Sequence, residues 1–160
     1  MFDETRVLQK QDVNPLLTSS LQDFIPIFGS GNQGTLDQER VQEIASASCN
    51  RLIVHSSVSD RNRIVGTGLL TIYPSPTNNR AEITCLAVLE EYRGKGIGRI
   101  ILDKCRLEAN DALVNSLQLS TGASNTHAKK IFQEFGFVQV SNATSGLVEY
   151  EYNIQQGARF

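Results

Sequence analysis

Apolar positions along this chain follow two spacings, and each change of spacing marks a new element. Thr5 to Leu8 is a short first strand. Asn14 before Pro15 pairs an N-cap residue with proline at the first helical position. The helix they open carries Leu16, Leu17 and Leu21 and stops near Asp23. Residues 24 to 34, FIPIFGSGNQG, form a loop with four bulky apolar residues and three glycines. Thr35-Leu36-Asp37-Gln38 reads as a capping box that starts a second helix through Val41, Ile44 and Ala45. RLIVHSS (51 to 57) and RIVGTGLLTIY (63 to 73) flank the turn-rich VSDRN and predict a hairpin. After PSPTNN comes a further strand, RAEITCLAVL (80 to 89). Ile97, Ile100, Ile101 and Cys105 then recur on one helical face. SLQLS (116 to 120) is another strand. Ala128, Ile131, Phe132 and Phe135 fall at i, i+3, i+4 and i+7, with Gly136 as the helix stop. FVQV and LVEYEYNI close the chain as a hairpin around SNATSG. The order predicts one mixed α/β domain over residues 1–160, without repeat or linker.

Composition narrows the function classes. At 40% apolar and 20% charged residues, the chain has the balance of a globular protein rather than a disordered one. A net charge of −2 gives no reason to expect nucleic acid or an anionic membrane as partner. Cys49, Cys85 and Cys105 are widely spaced and form no CxxC pair. They read as free thiols of a reducing compartment, not as a disulfide framework or zinc site. The polar start, MFDETRVLQKQD, lacks the apolar centre of a secretory signal, and no run approaches the ~20 residues of a membrane span. A cytoplasmic location is expected.

One stretch carries chemistry. EEYRGKGIGRIILDKC, residues 91 to 106, sets Gly94, Gly96 and Gly98 among cations just ahead of a helix. Glycine admits close approach by a ligand but weakens regular structure. A helix start offers unpaired N–H groups and the positive end of the helix dipole. Together they predict a phosphate cradle; a plain strand-to-helix turn with surface cations is the alternative. A Walker A loop fails here, because Leu89 stands where its first glycine belongs and Gly96 where its Ser or Thr belongs. A dinucleotide fingerprint starts at Gly94 and Gly96 but meets Arg99 instead of its third glycine. R-x-x-G-x-G is satisfied, by Arg93, Gly96 and Gly98.

With this pattern between a strand and a helix, and a second at Asn125-x-x-Ala128-x-x-Ile131-Phe132 ending in Gly136-Phe137, the sequence resembles the GNAT superfamily of N-acetyltransferases from about residue 5 to 154. The resemblance implies a single-domain fold with a central mixed, mostly antiparallel sheet flanked by helices. It also implies acetyl-coenzyme A as co-substrate, no metal, and a primary amine as acceptor. Backbone amides of Arg93, Gly94, Lys95, Gly96, Ile97 and Gly98 would then hold the pyrophosphate, with the Arg93, Lys95 or Arg99 side chains adding charge. The main chain of Leu86, Ala87 and Val88 would run beside the pantetheine arm, and Asn125 would reach it from the other side. An alkylamine arrives protonated, with a pKa near ~10.4, so a base is required. Glu82 is the candidate, with a solvent-facing strand residue as the other reading. Many relatives carry a tyrosine suited to protonating the sulfur where this chain has Phe132; Tyr150, Tyr152, Ser124 or water are the substitutes. Cys85 and His55 read as structural residues, and two histidines, His55 and His127, make no metal cluster. Residues 24 to 31 read as a substrate lid or as a loop anchor. A small-molecule amine is the expected acceptor. A non-catalytic acetyl-coenzyme A sensor or scaffold and a protein N-terminal or lysine acetyltransferase are the alternatives. The last strand offers an edge for a homodimer.

Overall fold

The computed structural model describes residues 3–27, 35–142 and 145–154. Residues 28–34 of the predicted loop, which include the glycines of the expected lid, and the centre of the SNATSG turn lie outside them. Strand β1 (Glu4–Val7) is followed by α1 (Pro15–Gln22), α2 (Gln38–Ser46), β2 (Asn50–Ser57), β3 (Arg63–Tyr73) and β4 (Arg80–Val88). Then come α3 (Ile97–Asp111), β5 (Ser116–Gly122), α4 (Thr126–Phe135), β6 (Val138–Gln139) and β7 (Leu147–Asn153). The seven strands form one sheet in the order β1-β2-β3-β4-β5-β7-β6. Only β4 and β5 run parallel; every other pair is antiparallel. This is the mixed, mostly antiparallel sheet that the family resemblance implies.

The helix starts follow the capping logic, with one shift. Asn14 accepts the Leu17 N–H at 3.0 Å, and Asn125 accepts that of Ala128 at 3.1 Å. For α2 the cap is Asp37, which accepts the Arg40 N–H at 2.7 Å, and not Thr35. A carboxylate cap also complements the helix dipole, which explains why it wins over the hydroxyl.

Helix α3 lies directly on the sheet because β3 offers it glycines. A Cβ on Gly66 would sit 2.7 Å from Ile101 Cδ1 and 2.9 Å from Ile97 Cγ2, and one on Gly68 would sit 2.8 Å from Ile101 Cγ2. The buried face of α3 is Ile97, Ile101, Leu102, Cys105 and Ala109. Ile100, expected on that face, is 46% exposed, because its position rotates toward α4. Each large side chain so buried contributes roughly 1.5–3 kcal/mol. Gly66→Ala should therefore lower the unfolding free energy by about 1–3 kcal/mol through overpacking. A chemical denaturation midpoint unchanged from wild type would contradict the close packing.

On the same face of the sheet, His55 is buried. Its Nδ1 lies 2.6 Å from the Thr5 hydroxyl, and its Nε2 has no partner among the described residues. Burial lowers its pKa below the ordinary value, and Asp3 only partly offsets this. The unfolded chain thus takes up a proton that the folded chain resists. Stability from this residue is complete above about pH 6.5 and is lost as the pH falls below it. Thermal midpoints should drop between pH 7.5 and 5.5, and His55→Asn should flatten that slope.

Candidate functional site

The glycine loop is built from backbone geometry. After a single 3-10 turn at Glu90–Tyr92 the chain runs through Arg93 in extended conformation to Gly94 (φ +76°) and Gly96 (φ +81°), and Gly96 caps α3. Both left-handed positions favour glycine. The first bond inside α3 runs from the Ile100 N–H to the Gly96 carbonyl, at 3.1 Å. The N–H groups of Ile97, Gly98 and Arg99 therefore have no acceptor within the helix. Gly98 is different from its neighbours: a Cβ there would meet only Val88 Cγ2, at an ordinary 3.9 Å. Among the described residues nothing requires that position to be glycine.

Side chains around the loop divide the cationic work. Ile97 is buried and pins the loop to the core, while Arg93, Lys95 and Arg99 are exposed. Arg93 folds back along the strand end, its Nε donating to the Val88 carbonyl at 3.0 Å. Lys95 places Nζ 5.0 Å from the centre of the Tyr92 ring. Arg99 faces a cavity of about 450 Å³ between α3 and α4, lined also by Gly96, Ile100, Asp103, Arg106, Phe135 and Tyr152.

Beside the loop the sheet splits. Strands β4 and β5 pair only at Arg80↔Ser116, Ala81↔Leu117 and Glu82↔Gln118, although β4 continues to Val88 and β5 to Gly122. Beyond Glu82 the facing edge of β4 has no strand partner among the described residues. A bulge sharpens the separation: Thr67 opposes Ala87 and Leu69 opposes Thr84, so Gly68 faces both Cys85 and Leu86. Cys85 takes φ +52°, a left-handed value rare for a residue with a side chain. The buried Thr67 holds it there, its hydroxyl donating to the Cys85 carbonyl at 2.8 Å. Leu89 donates its N–H to the Val65 carbonyl at 2.9 Å. By antiparallel alternation Ala87 also points its peptide groups at β3, and Leu86 and Val88 point theirs into the gap. Of the three expected strand contacts, Ala87 is thus already engaged within the sheet, and the Val88 carbonyl accepts from Arg93, which leaves Val88 its N–H.

Glu82 stands at the vertex of the split, half-buried, in the last pair that β4 and β5 share. Its row across the sheet runs Asn50, Thr71, Glu82, Gln118, Glu151. This is the α2 side, since Asn50 accepts the Thr71 hydroxyl at 3.2 Å and donates to the Ile44 carbonyl at 3.4 Å. Tyr73 donates its hydroxyl to Glu82 Oε2 at 3.3 Å, and Arg80 stacks on that tyrosine at 5.2 Å. Partial burial, then the Glu82 charge, raise the Tyr73 pKa, so the phenol stays a donor. Glu149 and Glu151 follow on β7, giving this open side three carboxylates.

The remaining candidates scatter. Asn125 spends Oδ1 on the α4 cap, which leaves its Nδ2 as the donor. Phe132 is buried against Tyr150 at 5.8 Å and Phe137 at 6.1 Å. Tyr150 is fully buried, and its hydroxyl has no partner among the described residues. Cys105 is buried on the sheet-facing side of α3, its pKa pushed up to about 12 by burial. Cys85 is exposed at the bulge, with partial burial of the sulfur raising its pKa. Neither thiol is primed as a nucleophile. Among the described residues no cluster of His, Cys, Asp or Glu is arranged to hold a metal, and no helix is long and apolar enough to cross a membrane. Sequence reasoning missed the bulge, the Tyr73–Glu82 contact and the return of Arg93 to Val88. Only the glycine at 68, set in an otherwise continuous strand pattern, hinted at the first.

A helix start whose first amides have no acceptor within the helix, next to a parallel seam that splits after three pairs, marks the candidate site of an α/β protein. Residues 17–137 match the acetyltransferase (GNAT) family, and the chain belongs to that family of acetyl-coenzyme A-dependent acyltransferases. An uncharacterized N-acetyltransferase of Chlorobaculum tepidum is 31% identical over 80 residues, 50% of this chain and 46% of the relative. An amino-acid acetyltransferase of Vibrio atlanticus is 28% identical over 91 residues, 54% of this chain and 20% of the relative. The matches thus span less than half the length of these curated relatives. Among solved structures, a chain of the NatC complex bound to Gag peptide and CoA superposes with a TM-score of 0.77 at 15% identity, covering 96% of this chain and 99% of that one.

Proposed function

We propose that this chain transfers the acetyl group of acetyl-coenzyme A to a primary amine of a small molecule. The observation that carries the reading is the join of two features: the α3 amides at Ile97, Gly98 and Arg99, which have no acceptor within the helix, begin beside Val88, at the end of the β4 edge that β5 leaves unpaired. That pairing suits a ligand with a diphosphate at one end and an extended amide-bearing arm at the other. The loop amides and Arg99 would bind the diphosphate. Leu86 and Val88 would hydrogen-bond the arm as a missing strand would. Bound there, the co-substrate supplies an activated acetyl thioester.

Glu82 would take the proton from the incoming ammonium, directly or through water, at the vertex where the gap closes. Strand N–H groups of Leu86 or Val88 would meet the negative charge that develops on the acetyl oxygen. A thiol with a pKa near ~8.5 can leave as thiolate without an obligatory acid, so Phe132 is compatible with turnover. The carboxylates Glu82, Glu149 and Glu151 favour an acceptor that arrives as a cation. Similarity to the amino-acid acetyltransferase leans toward a small acceptor, and the fold neighbour seen with a peptide keeps peptide amines in the test panel.

Phe132 favours one second reading, a domain that binds coenzyme A without catalysis. Acetyl-coenzyme A titration separates binding from its absence. Thiol release over a panel of amino acids, polyamines, amino sugars and peptide amines then separates enzyme from sensor. Acceptor-dependent release with a small amine is the expected result. Binding without release from any acceptor would overturn the catalytic reading, and release with peptides alone would overturn the small-molecule acceptor.

A further inference from the structure

We propose that Tyr92, Asp60 and Arg63 position the glycine loop for coenzyme A and tie it to α1; the inference rests on the coenzyme A reading above. Tyr92 is the last residue of the 3-10 turn that delivers the chain into Arg93 and Gly94. Its hydroxyl donates to Asp60 Oδ2 at 2.8 Å. Asp60 ends the turn between β2 and β3 and is followed by Arg61 and Asn62, both left-handed, so its place is set by a tight backbone. Arg63 then grips three carboxylates with one guanidinium: Asp23 at 3.0 Å, Glu91 at 3.2 Å and Asp60 at 3.4 Å. Asp23 is the C-cap of α1, and Glu91 lies in the 3-10 turn itself. Two segments far apart in sequence, 23 and 60–63, thus converge on the residues just ahead of the loop.

The contacts continue into the cradle. Lys95, between the two left-handed glycines, sits over the ring whose hydroxyl Asp60 fixes. The ring of Tyr92 already packs against the core, so its burial does not need the hydroxyl. What the hydroxyl adds is a fixed rotation of the turn, and through it a fixed aim for the amides at the start of α3. Isolated exposed ion pairs contribute little, but here a single fork spans three anions and one of them takes a charge-assisted hydrogen bond. That bond draws the Asp60 pKa below the usual carboxylate range and pushes the Tyr92 phenol up, both in the direction of holding it together at neutral pH. Asp60 and Arg63 lie outside the loop; they act through Tyr92 and Glu91.

Tyr92→Phe removes one hydroxyl and leaves the packing. The affinity of the full chain for acetyl-coenzyme A, by isothermal titration calorimetry, should fall about three- to tenfold. Affinity for S-acetyl-pantetheine, which lacks the diphosphate and adenosine, should stay within about twofold by ligand-observed NMR, because the strand gap is untouched. Asp60→Asn should reproduce the pattern more weakly, since an amide oxygen still accepts. An unchanged acetyl-coenzyme A affinity in Tyr92→Phe overturns the proposal. So does a parallel loss of both ligands, which would mean a general loosening. If the wild-type chain itself fails to bind acetyl-coenzyme A, it is the parent reading that falls.

Discussion

Gly98→Ala is expected to stabilise the protein slightly while weakening acetyl-coenzyme A binding by roughly 10- to 100-fold. The two signs have separate origins. An alanine within a helix is favoured over glycine by up to about 1 kcal/mol, less near the first turn, and the added Cβ meets Val88 at a comfortable 3.9 Å. The same methyl would stand among the α3 amides proposed to bind the diphosphate, displacing it from one charge-assisted hydrogen bond at about 1.5–3 kcal/mol. Gly96→Val makes a poorer probe, because φ +81° strains any β-branched side chain and the loop itself would move. Thermal melts and titration calorimetry on Gly98→Ala check both halves. A more stable variant with unimpaired affinity would remove the cradle.

Glu82→Gln should lower turnover by about 10²–10⁴-fold at neutral pH, with the deficit shrinking as pH rises toward the acceptor's pKa. Glutamine keeps an oxygen for the Tyr73 hydroxyl, so the local hydrogen bond survives. What disappears is the capacity to take a proton. At high pH a growing fraction of amine is already free, and the base matters less. A thiol-release profile over pH 7 to 10 reads this directly. A deficit that stays constant over that range would leave Glu82 a binding residue, and an unaltered rate would leave it no role in the reaction.

Local signals made much of this architecture legible. The run from Arg63 to Tyr73 became β3 with both ends as the alternation implies, and Asn14-Pro15 and Gly136 set helix limits through capping chemistry that needs only neighbours. Where two local options competed, tertiary geometry decided. Asp37 displaced Thr35 as cap, and α3 is rotated so that Leu102 is buried and Ile100 is not. The glycine loop was legible because left-handed backbone and close approach restrict residue type. The split between β4 and β5 was not, since it depends on where pairing stops and no residue type encodes that. Cys85 shows the same limit, a side-chain residue in a glycine-like conformation imposed by Thr67 and its own strand partners.

The brevity of the parallel seam has a mechanical consequence. Three residue pairs join the amino-terminal half-sheet to the carboxy-terminal one, and α3 and α4 brace the join from a single side. An acyl donor laid along the open stretch would act as a removable rivet, so that occupancy, and not the polypeptide alone, would set how stiffly the halves hold together.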